Sequence, residues 1–210
     1  MNETVVLVHG LLGTRLDLWP VARRLGKDGF RVNSWRYPTL GHRIETLSEL
    51  LASELSQVQR GLTDDAKFHL VTHSMGGIIL RSMLAQYSFE RLGRVVMLAP
   101  PHQGSHVARK VLPFFGWMAP CLGQLSDSDD SFVNQLPNSL LDRGVEFGII
   151  EASKDRVIER GKVLLDGHRD YFCLQGHHGV LGWYPQTAHL VSHYLVNGCF
   201  EVAPSATAAE

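Results

Sequence analysis

The sequence predicts an α/β fold: a mostly parallel sheet with helices on both faces. Three observations predict it. Short apolar runs rich in β-branched residues alternate with longer segments of helical spacing. The runs are almost continuously hydrophobic, as strands covered on both faces require. Polar segments holding glycine and histidine stand where several runs end, and the ends of parallel strands are where ligands gather.

In chain order, residues 5–8 form the first strand-length run and lead to residues 16–25, whose apolar positions recur at helical spacing. Residues 31–35 make a second run and 44–58 a second helical segment. A third run at 68–72 is followed by helical spacing over 77–87, and a fourth covers 95–99. Runs at 145–150 and 171–174 and a last helical segment at 186–196 complete the alternation. Its longest interruption, 101–144, holds an apolar part and an acidic, Ser-rich part; a connection of this length is usually functional or separately structured. No repeat or Ser/Gly linker divides the chain, so residues 1–202 are expected to form one domain and 203–210 a flexible tail.

Composition excludes several classes of function. Twenty Lys and Arg against 21 Asp and Glu leave a net charge of −1, with no broad field for gripping nucleic acid. No apolar run reaches the roughly 18 to 20 residues of a membrane span, and the first residues lack the pattern of a signal peptide. A cytoplasmic protein without stable membrane insertion is therefore expected. Cys121, Cys173 and Cys199 lack the spacing of a zinc or redox motif and read as free thiols. His102 with His106, and His189 with His193, have a spacing that can bind zinc, but neither pair has a neighbouring third ligand. The expected metal and cofactor content is none.

The run at 68–72 passes through His73-Ser74-Met75-Gly76-Gly77 into an apolar helical segment. A serine on a sharp turn between strand and helix is pushed out above the sheet, and the amide after it, Met75, opens the helix where developing negative charge is favoured. The first run ends similarly, in His9-Gly10-Leu11-Leu12-Gly13. A serine hydroxyl needs a histidine base, and that base needs a carboxylate to fix its tautomer. Asp155 lies in the loop after 145–150, with Glu151 at the strand end as the alternative. His177 and His178 follow the last run side by side, and neighbouring side chains point in different directions.

These motifs resemble the α/β-hydrolase superfamily, in its small lipase- and esterase-like branch, over nearly the whole chain. The resemblance implies a minimal, roughly six-stranded α/β-hydrolase fold lacking the superfamily's first two strands. Its nucleophile elbow, G-x-S-x-G, is matched at Ser74 and Gly76, but Thr72 stands at the first small position, where a β-branched side chain crowds the crossing. The resemblance implies Ser74 as nucleophile, Asp155 as orienting acid, and the backbone amides of Leu11 and Met75 as the oxyanion hole. Small lipase-like members show His, a variable residue, Gly and two apolar residues; matching Gly179-Val180-Leu181 makes His177 the base, with His178 as the alternative.

Pro100-Pro101-His102-Gln103-Gly104-Ser105 also looks lipase-like, and 101–144 lies where such folds place a cap or lid. Leu12, Phe115, Trp117 and Trp183 are the expected substrate-binding side chains. The implied activity is cleavage of small-molecule carboxylic esters through an acyl-enzyme. A thioesterase or acyltransferase would use the same residues, and Thr72 in the elbow motivates a third reading, a non-catalytic binding protein of this fold.

Overall fold

A computed structural model describes residues 3–63 and 65–200; the predicted tail at 203–210 lies outside them. Six strands form one sheet: β1 Thr4–Val8, β2 Arg31–Ser34, β3 Phe68–His73, β4 Leu92–Leu98, β5 Phe147–Ala152 and β6 Asp170–Leu174. Their order is β2-β1-β3-β4-β5-β6, and every neighbouring pair is parallel. Each predicted run is a strand, with ends displaced by up to three residues. β4 stops before Ala99, whose φ of 44° carries the chain out of the extended region.

Helices α1 Trp19–Lys27, α2 Ile44–Arg60 and α3 Met75–Gln86 connect the first four strands, and α7 Pro185–Asn197 closes the chain. Helix α1 packs on α7, and α2 on α3. Alternate residues of a strand face opposite sides, so the burial of all six residues of β3 and of β5 means that both faces are covered there. Edge strand β2, short and partly exposed, is the least apolar of the six.

Between β4 and β5 the chain makes α4 His106–Phe115, two single turns α5 Cys121–Gln124 and α6 Phe132–Gln135, and a 3-10 turn at Leu141–Arg143. The interruption predicted at 101–144 is thus a helical insertion. Buried Arg81 of α3 fastens it. Its guanidinium donates to the carbonyls of His102 (2.8 Å), Leu136 (3.0 Å) and Pro137 (2.9 Å), so both ends of the insertion are held to one helix. Burial lowers the Arg81 pKa to about 10, which leaves it cationic at neutral pH, compensated by three carbonyl dipoles.

Chain order reverses between β1 and β3, with β2 outside one and β4 beyond the other. Such a switch point opens a crevice at the carboxyl ends of the strands. Among the described residues, no helix is long and apolar enough to cross a membrane. Cys121, Cys173 and Cys199 are free thiols.

Candidate active site

Ser74 stands between β3 and α3 with φ 53° and ψ −124°, a backbone that L-residues rarely adopt. The tight turn depends on the glycines after the serine. A Cβ on Gly76 would lie 2.7 Å from the Val8 carbonyl oxygen and 2.8 Å from that of His9, so only glycine lets α3 start against β1. Gly77 in turn makes room for the chain after β4: a Cβ there would lie 2.8 Å from Pro100 Cβ, while the buried Thr72 hydroxyl stands 3.4 Å from the same point, an ordinary contact.

The Ser74 hydroxyl donates to His178 Nε2 at 2.9 Å, and His178 Nδ1–H donates to Asp155 Oδ2 at 2.7 Å. The other Asp155 oxygen accepts from the amides of Val157 (2.8 Å) and Ile158 (2.9 Å). Burial pushes the Asp155 carboxyl up, but the hydrogen bonds and charge of His178, with the two amides, outweigh it and hold the group below its ordinary value. An ionised Asp155 fixes the tautomer of His178: proton on Nδ1, lone pair on Nε2 toward the serine.

His177, expected to be the base, is not the histidine that meets Ser74. It occupies the cap position before the 3-10 turn His178–Trp183; its ring, exposed, bonds the Lys154 carbonyl (3.2 Å), and its amide bonds the Tyr184 hydroxyl (3.2 Å). Successive residues turn their side chains apart, so only one of the pair can face the crevice, and entry into the turn selects the second. The alternative acid, Glu151, also points elsewhere, to the Gly161 amide (2.7 Å) and the Tyr171 hydroxyl.

His73, beside the nucleophile, is buried and donates from Nε2 to the His178 carbonyl (3.0 Å). Burial, together with the nearby His178, lowers its pKa to about 4, so a neutral ring steadies the loop that carries His178. Its place beside the elbow suggests packing and hydrogen bonding rather than catalysis, and both are present.

The loop after β1 lies against the serine. A Cβ on Gly10 would be 3.0 Å from Ser74 Cβ and 3.5 Å from its Oγ. Met75 opens α3, where the first amides have no acceptor within their own helix. Leu11, Met75, Ser74 and His178 all line one cavity of about 450 Å³, a size that suits a small organic ligand.

The rest of its wall is almost wholly apolar. Val107, Ala108, Val111 and Phe115 contribute one face of α4, and Leu12, Leu40, Leu122, Leu125 and Ile158 surround it. Of the four expected substrate-binding side chains, Leu12 and Phe115 are in this wall and Trp117 and Trp183 are not. Trp117 lies beyond the end of α4 with 84% of its surface in solvent. Trp183 ends the 3-10 turn and pairs with Trp19, ring centroids 6.4 Å apart. The wall residues that sequence reasoning missed, such as Leu40 and Leu125, are ordinary aliphatics whose spacing carries no sign of a ligand.

No cluster of three or more His, Cys, Asp or Glu side chains that could hold a metal occurs among the described residues. His102 is buried with Nε2 at Met97 Sδ (3.3 Å), whereas His106 faces Glu159 (3.8 Å), so the two are differently engaged.

Residues 3–120, more than half of the chain, match a family model described as the alpha/beta hydrolase fold. No curated protein matches. Similar solved structures include a Bacillus licheniformis lipase in mature form, with TM-score 0.68, 18% identity, and 85% of this chain and 86% of the lipase covered. Aspergillus fumigatus lipase B gives TM-score 0.68 at 15% identity, covering 93% of this chain and 53% of that one. A Legionella pneumophila phospholipase gives TM-score 0.56 at 19% identity; the match takes in 72% of this chain but spans only 38% of the phospholipase.

Proposed function

Because the chain belongs to the α/β-hydrolase family, we propose that it is a serine hydrolase of carboxylic esters, of the small lipase- and esterase-like kind, with Ser74, His178 and Asp155 as its catalytic residues. One observation carries this reading: the hydrogen-bonded line from Ser74 through His178 to Asp155 at an apolar cavity. Residues 1–202 act as a single catalytic domain, with 101–144 as its cap.

The chemistry follows from the geometry. Ser74 Oγ attacks the ester carbonyl carbon while its proton passes to His178 Nε2. The imidazolium so formed is stabilised by Asp155, which stays ionised. The carbonyl oxygen becomes an oxyanion and takes hydrogen bonds from the amides of Leu11 and Met75, each worth about 2.7 to 4 kcal/mol to the transition state. When the tetrahedral adduct collapses, the C–O bond to the leaving group breaks and His178 protonates the departing alcohol. Water then gives a proton to His178 and attacks the acyl-enzyme; the acid leaves, and the proton returns to Ser74 Oγ.

The cavity wall supports the choice of substrate. Its side chains other than Ser74, Ser105 and His178 are apolar, and the Ser105 hydroxyl is already spent on the Val157 carbonyl (2.6 Å). An uncharged aliphatic acyl group loses no hydrogen bonds on entering such a space, whereas a charged one would be stripped of water without a partner. A fluorophosphonate probe and p-nitrophenyl esters of graded chain length test the reading, with Ser74→Ala as control. Labelling and turnover that vanish in Ser74→Ala are expected; their absence from the wild type overturns it.

A further inference from the structure

Resting on the reading of Asp155 as the acid behind His178, we propose that Ser105 is a positioning residue for Asp155: its hydroxyl holds the peptide group that binds the far oxygen of the carboxylate. The line from Ser74 through His178 uses one carboxylate oxygen, Oδ2. The other, Oδ1, accepts from the amides of Val157 (2.8 Å) and Ile158 (2.9 Å). A carboxylate is planar and rigid, so the donors on Oδ1 set the direction in which Oδ2 meets the histidine.

One of those donors is held from behind. The Ile158 N–H shares a planar trans peptide group with the Val157 carbonyl, so the two point in opposite directions. The Ser105 hydroxyl donates to that carbonyl at 2.6 Å. Holding the oxygen on one side therefore aims the N–H at Asp155 on the other. Ser105 stands at the start of α4, whose face walls the cavity, so the residue that begins the wall also sets the acid.

Ser105 is itself fixed. It is buried, and as the cap of α4 its oxygen accepts from the Ala108 amide (3.3 Å), which leaves its one proton for Val157. Its amide donates to the Leu125 carbonyl (2.9 Å), and its carbonyl accepts from the Arg109 amide (3.2 Å). Gly104, with φ 80°, brings the chain in so tightly that a Cβ there would lie 2.5 Å from the Ser126 carbonyl oxygen. A second join lies alongside. The Gln103 amide donates to the Lys162 carbonyl (3.1 Å), and Asp127 pairs with Arg109 of α4 (2.7 Å) and with Lys162 of the loop after β5 (3.6 Å). The insertion and the loop that carries Asp155 are thus held together on both sides of the peptide.

Two variants separate this role from helix capping. Ser105→Ala removes the hydroxyl; Ser105→Thr keeps it, on an extended backbone (φ −135°) that suits a β-branched residue. In Ser105→Ala, kcat for a p-nitrophenyl ester should fall about 5- to 20-fold with KM within about twofold, because a turned acid is missed only when the imidazolium forms. The far-downfield proton resonance of His178 Nδ1–H, which reports its bond to Asp155, should move upfield or broaden. Ser105→Thr should restore the resonance and bring kcat to within about threefold of wild type. If wild type shows Ser74-dependent turnover and Ser105→Ala loses only melting temperature, with kcat and the resonance unchanged, Ser105 merely caps α4; the inference fails and the esterase reading stands. A Ser105→Thr as slow as Ser105→Ala also overturns it, since the hydroxyl would not be the cause. A wild type without Ser74-dependent turnover sinks both.

Discussion

The floor of the site and the insertion that roofs it are built on opposite principles. On the floor, polar atoms are matched: Asp155 takes three hydrogen bonds, His178 spends both ring nitrogens, and Gly10, Gly76 and Gly77 leave no room for a Cβ. The roof, 101–144, is tied down at points along its rim, by Arg81 to His102, Leu136 and Pro137, by Gln124 to Glu45 and the Ile44 amide, and by the Met118 carbonyl to the Gly41 amide. Between those anchors it offers an apolar wall inward, and at the end of α4 it leaves Phe114, Phe115 and Trp117 exposed. Reaction geometry tolerates errors of only a fraction of an ångström, whereas an apolar wall needs little more than volume and shape. Changes to the floor should therefore abolish chemistry, and changes to the roof should alter stability or selectivity.

The sharpest division lies within one dipeptide of the floor. His178→Ala should lower kcat about 10³-fold or more, whereas His177→Ala should stay within about threefold, since the His177 ring bonds only the Lys154 carbonyl and its backbone amide keeps the bond to the Tyr184 hydroxyl. Esterase assays of the two purified variants decide it; a dead His177→Ala would restore that residue as base. Arg81→Met probes the roof anchor. Three carbonyls, the His102 one buried and the other two part-buried, lose their donor, so urea unfolding should show a loss of about 2 to 4 kcal/mol, with kcat per folded molecule nearly unchanged. A large loss of kcat at full stability would mean that the roof shares in the chemistry.

The floor also carries a pH dependence. The folded pKa of His73, about 4, lies below its ordinary 6.5, so the unfolded chain takes up this proton first. Stability contributed by the neutral ring is complete above pH 6.5 and is lost as pH falls toward 4, by up to about 3 kcal/mol. His73→Gln keeps a donor where Nε2 stood and cannot titrate; its unfolding free energy should fall less steeply over that interval, and an unchanged slope would assign the loss to other groups. The smallest effect belongs to the roof wall. Phe115→Ala should shift the preferred acyl chain length and change relative kcat/KM by about fivefold, while Trp117→Ala, outside the cavity, should leave the profile as it was.

Much of the floor was legible from the chain. The elbow His73-Ser74-Met75-Gly76-Gly77 and the loop His9 to Gly13 are contiguous, and contiguous residues have their geometry set by local sterics: a strand, a turn that needs glycine, a helix start. Asp155 and Glu151 could be named as candidates because both follow a recognisable strand, and the family resemblance favoured Asp155. The roof was legible only as an interruption. Arg81 sits in an otherwise apolar helix, and nothing local says that its partners lie 21, 55 and 56 residues away.

The chain by itself determined the parallel α/β sheet and marked the strand ends where Ser74 and the two candidate carboxylates, Asp155 and Glu151, stand, because hydrophobic period and turn chemistry act over a few residues. Tertiary structure alone set His178 rather than His177 against Ser74, kept Trp117 and Trp183 out of the cavity, and made His9 a neighbour of Tyr37. Each of those outcomes depends on which way a side chain faces once distant segments pack, and a one-residue step turns it to the other side. Local pattern specifies where the loops are; packing against the sheet and its neighbours selects which atoms meet.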